Sequence, residues 1–129
     1  MSPEGRAALE RARRRLDRLD FYPRSIRMRG VRIVSVPWFF RLPYFRRFDG
    51  HAFYGTVMLR EPVGAAPDDL VTHELCHVWQ MQHRPIAMPL SYLYRGYRNN
   101  PYEIEARRAV TLTRPPRAPR GPQRGPEGR

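Results

Sequence analysis

The sequence predicts an α+β domain, with a short antiparallel sheet packed against two C-terminal helices and an amphipathic helix in front. Three observations predict it. Two β-branched or aromatic runs, Val31–Val36 and Phe53–Leu59, lie in the first half of the chain. Helix-period patterns follow at 68–82 and 101–112, and another precedes at 3–20. Strands grouped apart from helices, rather than alternating with them, point away from a parallel βαβ sheet.

Taken in order, Leu9, Ala12, Leu16 and Leu19 form one narrow apolar stripe on the first helix, and arginine covers its other faces. A surface helix packed on the core accounts for this, with a helix lying on an anionic membrane or partner as the sharper alternative. Val31–Val36 reads as a strand that Pro37 ends. The aromatic, Pro-punctuated stretch 37–45 reads as a buried loop or part of a hydrophobic substrate rim. Asp49-Gly50 is expected as a turn, followed by the strand Phe53–Leu59. Pro67-Asp68-Asp69 opens a helix with acidic residues at its positive end, and Pro85 stops it. A loop carrying Tyr92, Tyr94 and Tyr97 comes next, before Asn100-Pro101 starts the last helix.

The organisation expected is an N-terminal helix at 1–20, a main domain at 21–112 and a Pro/Arg/Gly-rich tail at 113–129. The tail has no apolar periodicity and reads as disordered. With 24 basic residues against 12 acidic, the 129-residue chain carries a net charge of +12. All the basic residues are arginine, so a coding bias explains the charge as well as a functional demand does. No recognition motif accompanies it, and specific nucleic-acid binding is not expected. The charge leaves peripheral contact with an anionic membrane open. One cysteine, Cys76, excludes an internal disulfide. No signal-type apolar stretch and no ~18-residue apolar run is present, so a cytoplasmic location without a transmembrane segment is the default, non-classical export aside. Nothing in the sequence points to a particular oligomeric state.

Chemistry concentrates in Thr72–Gln80, THELCHVWQ, which contains His73-Glu74-Leu75-Cys76-His77. With His73 at 0°, about 100° per residue puts His77 at about 40°, Gln80 at about 340° and Glu74 at about 100°. Val71, Leu75, Val78 and Trp79 fall at about 140–240°, on the opposite side. Packing therefore does not require the histidines. Two imidazoles one turn apart can share one Zn²⁺, while Glu74, rotated away, can take a proton from a water at the metal's open position. At this chain's own frequencies of His and Glu, an HExxH arises by chance with a probability of roughly 0.6 %.

A catalytic zinc needs a third protein ligand. His83 lies too far along the same helix, and His51, in the expected turn, is a weak candidate. On the last helix Glu103 falls on the side of Ala106 and Val110, whereas Glu105 falls at about 200° from it and is expected to face outward. Glu103 is the better ligand and Glu105 the alternative. Glu103 also fits a capping box with Asn100, a purely structural role.

The residues resemble the zincin metallopeptidases of the gluzincin branch, including minigluzincins and other small bacterial HExxH domains. His73-Glu74-Leu75-Cys76-His77 matches HExxH, Glu103-Ile104-Glu105-Ala106 resembles the downstream ligand helix, and Val78-Trp79-Gln80 resembles an extension seen in some small members. The resemblance covers roughly residues 50–112. It implies one Zn²⁺ held by His73, His77 and Glu103, with Glu74 as general base in peptide hydrolysis and a peptide or protein as substrate. Tyr92, Tyr94, Tyr97 or Arg95 would steady the oxyanion. Gln80 is a candidate to orient a histidine. Arg107 stands where the family often has an acid for that purpose. A zinc-stabilised binding module without catalysis is the alternative.

Overall fold

The computed structural model describes residues 1–116; the tail expectation lies outside the described residues from 117 onward. The α+β class holds: four α-helices accompany one three-stranded sheet. Helix α1 spans Pro3–Leu16, and the Ser2 hydroxyl caps it by accepting the Gly5 N–H at 3.0 Å. It stops at Leu16, four residues short of the expected end. Ala8, Leu9, Ala12 and Leu16 are buried, and Leu19 packs on the same core from beyond the helix.

Strand β1 (Arg32–Ser35) pairs parallel to β3 (Thr56–Leu59), and β2 (Gly50–Phe53) pairs antiparallel to β3, giving the order β1-β3-β2. The sheet is therefore mixed, not purely antiparallel, and what reads as one strand from Phe53 is a hairpin. Its turn is Tyr54-Gly55, with Tyr54 at φ 52° in the left-handed region. Gly50 is the first residue of β2, not part of a turn. Parallel neighbours need a crossover, which the aromatic stretch supplies through two 3₁₀ turns, Pro37–Arg41 and Phe45–Arg47. Of that stretch only Phe40 is fully buried; Trp38, Leu42 and Tyr44 are exposed.

Helix α2 (Asp68–His83) runs through the centre, packed against the sheet and α1, and Val71, Leu75, Cys76, Val78 and Trp79 are buried along it. Its histidine side is covered too, by α4 (Pro101–Thr113). The expected tyrosine loop is instead a third helix, α3 (Ala87–Arg95). Pro89 is tolerated there because it lies in the first turn, where a backbone N–H has no helical partner. Arg15 on α1 is 7 % exposed and ties three helices together. It donates to Asp69 Oδ1 (2.9 Å), the Val110 carbonyl (3.0 Å) and Thr113 Oγ1 (3.0 Å). Among the described residues no helix is long and apolar enough to cross a membrane.

Candidate metal centre

Helices α2 and α4 bring His73, His77 and Glu103 together, with one ligand atom from each lying within 4.8 Å of the others. Glu103 enters from the first turn of α4. Asn100 caps that helix, accepting the Tyr102 N–H at 2.8 Å. The Glu103 carboxylate does not turn back to complete a capping box. It is 1 % exposed and faces His73 Nε2 at 2.6 Å through Oε2 and His77 Nε2 at 2.9 Å through Oε1. The Tyr92 hydroxyl donates to Oε1 at 3.2 Å.

Gln80 decides the protonation of this cluster. It is fully buried, and its amide NH₂ donates to the Tyr102 carbonyl (2.8 Å) and to Glu105 Oε1 (3.0 Å). Both partners accept, so the amide oxygen is the atom facing His77 Nδ1 at 2.7 Å. Nδ1 must then carry a proton. Neutral His77 consequently presents the lone pair of Nε2 to Glu103 Oε1 at 2.9 Å. Two lone-pair atoms at that distance repel unless a cation joins them, either a second imidazole proton or a metal ion. Burial pulls the His77 pKa down, but the hydrogen bond to Glu103, the charges of Glu74 and Glu103 and the Gln80 bond together outweigh it and hold the value above normal. Burial likewise pushes Glu103 up, and its bonds to the two histidines outweigh that and hold it well below the carboxylate range. A divalent ion meets the same need with both histidines neutral, and two imidazoles with one carboxylate suit zinc.

Glu105 does not face outward into water. It accepts from the Tyr22 hydroxyl at 2.5 Å and from Gln80, so it is no direct partner of the cluster and instead stands behind it. Tyr22, Glu105, Gln80 and His77 form one continuous chain. Nothing in the sequence pattern points to Tyr22, which lies in an irregular segment 83 residues from Glu105.

Glu74 is 6 % exposed and lies on the side of the site facing β2. A Cβ at Gly50 would stand 3.1 Å from Glu74 Cγ and 3.2 Å from its Oε2, so glycine is what leaves room for the carboxylate. Burial raises the Glu74 pKa, which makes its anion a stronger base. Arg107 does not contact a histidine. Its guanidinium lies over the Tyr97 ring, 5.9 Å from the centroid. His51 sits on β2 against Phe39 and Phe45 and is outside the ligand cluster. His83 bonds the Trp79 carbonyl at 3.1 Å and stacks on Tyr22.

Two hollows meet at the cluster. One, of about 430 Å³, is largely aromatic and aliphatic; Phe45, Met81, Met88, Tyr92 and Tyr97 line it together with His77 and Glu74. Tyr94 is 69 % exposed and carries Arg95 over its ring, and neither lines this hollow. The other is polar and open, and runs past His73 and Glu74 between Arg47 and Arg107.

Comparison of the chain with protein-family models, curated proteins and solved structures found no match in any of the three. The class the fold and site define is thus a small α+β domain with a His-His-Glu group that could hold a metal ion.

Proposed function

We propose that the protein is a zinc-dependent hydrolase of peptide bonds, built on the gluzincin plan. The observation that carries this reading is the Gln80-fixed tautomer of His77, which aims a lone pair at a buried carboxylate beside His73. His73, His77 and Glu103 would hold the ion. When bound, zinc supplies a Lewis acid that polarises a carbonyl and acidifies water.

The remaining steps belong to the chain. Glu74, raised in pKa by burial, takes a proton from the attacking water and passes it to the leaving amine. Tyr92 and Tyr97 stay protonated because burial, followed by the Glu103 charge, pushes both phenols up. Each therefore keeps a donor hydrogen at the edge of the site; Tyr92 gives its own to Glu103 Oε1 and would have to turn from it to steady the developing oxyanion. The aromatic hollow takes an apolar side chain and keeps water from it.

The test is metal analysis followed by cleavage of a peptide library by wild type and Glu74→Gln. The expected result is one equivalent of zinc in both and cleavage only by wild type. Zinc below about half an equivalent, unchanged by His77→Ala, sinks the reading. Zinc without Glu74-dependent cleavage replaces it with a zinc-stabilised binding module.

A further inference from the structure

The polar hollow carries two cations with no acidic partner. Among the described residues, Arg114 pairs with Asp69 at 3.0 Å and Arg60 approaches Asp49 at 3.5 Å, which occupies the acids that line this hollow apart from Glu74. Arg47 and Arg107 form no ion pair among the described residues. Both are held by aromatic faces instead. Arg47 lies 5.0 Å from the ring centres of Tyr44 and Phe48, and both guanidiniums lie 5.9 Å from the centre of Tyr97. Arg107 follows Glu103 by one helical turn, so its side chain emerges next to the proposed metal ligand. Arg107 also donates one N–H to the Arg98 carbonyl at 3.4 Å, a long bond to a neutral acceptor. Stacking fixes a guanidinium plane and leaves its remaining edge N–H groups for a carboxylate.

We propose that Arg47 and Arg107 bind the C-terminal carboxylate of the substrate peptide, so that the enzyme cuts within a residue or two of a free C-terminus. This rests on the hydrolase reading above. The apolar hollow and the hollow bearing the arginine pair adjoin, with Glu74, Gly50, Phe48 and Tyr97 lining both. An apolar side chain can enter the first while the terminal carboxylate reaches the second. An acidic residue at the Arg107 position would leave the hollow without this preference.

The test uses the full chain with Glu74→Gln to prevent turnover, titrated by calorimetry with N-acetyl-phenylalanyl-alanine as free acid and as amide. The acid is expected to bind about tenfold or more tighter, both zinc-loaded and after chelation. In the R47A/R107A double variant the two ligands should bind within about twofold of each other. Equal binding of acid and amide by the starting protein overturns the proposal. So does an acid preference that survives in the double variant, which assigns the carboxylate to the metal. Parallel kinetics with Glu74 intact separate the two readings. Cleavage with equal KM for acid and amide removes the arginine site alone, whereas no Glu74-dependent cleavage of either removes the hydrolase and leaves the binding ratio to decide the site.

Discussion

The two sides of the histidine pair are built differently. Behind His77 a chain of buried and half-buried polar groups is partnered throughout: Nδ1 on Gln80, Gln80 on Tyr102 and Glu105, Glu105 on Tyr22. In front, around His73 and Glu74, the carboxylate of Glu74 meets the bare backbone of Gly50, and the arginines beyond it rest on rings. The rear fixes a tautomer and a direction. The front leaves a base and two cations free for something else. A buried network that is satisfied rigidifies, and a reactive group must remain unsatisfied to act.

This contrast can be broken at its strongest point first. His77→Ala removes the residue in which the rear network ends, and bound zinc should fall below about a tenth of an equivalent by metal analysis. Gln80→Leu keeps the volume but frees the tautomer. Zinc affinity measured against a competing chelator should drop roughly 10–100-fold, with Glu105→Gln in the same direction and smaller. A Gln80→Leu protein with wild-type zinc affinity would remove the rear network from the account. Gly50→Ala strikes the front. A Cβ there meets Glu74 and Leu70 at 3.1 Å, and stability should fall by about 1–3 kcal/mol in urea unfolding, with cleavage reduced and zinc retained. The smallest effect concerns His51. Burial, and then the charge of His77, lowers its pKa to about 4 from 6.5. The folded state therefore binds fewer protons than the unfolded between those values, and His51 erodes stability as pH falls from about 6.5 to about 4. His51→Phe, among Phe39 and Phe45, should flatten that part of the pH–stability curve.

The same contrast explains what the sequence made legible. The HExxH helix was readable because its periodicity and its ligand spacing obey one 3.6-residue repeat, and Glu103 followed from the faces of α4. Gln80 sits on that repeat and was in view for the same reason. Gly50 and Glu105 were misplaced, because a four-residue strand beginning with glycine has no propensity signal and a helical wheel cannot show that Tyr22 covers the far face. Helix α3 hid behind Pro89 and three tyrosines, and the parallel β1–β3 pairing depends on a crossover that short strands do not announce. The helix-dense centre was local information. The parallel strand pairing and the second tier of hydrogen bonds were contacts between distant segments, 22, 25 and 83 residues apart in the network behind His77.

Arg15 sets an order of events during synthesis. Its guanidinium is buried near the beginning of the chain, and two of its three partners, Val110 and Thr113, stand 95 and 98 residues later. A nascent chain on the ribosome can form α1 early but cannot seat Arg15 until α4 has left the exit tunnel. Glu103 arrives on the same helix, so closure of the N-terminal clamp and completion of the His-His-Glu group become one late step of biogenesis.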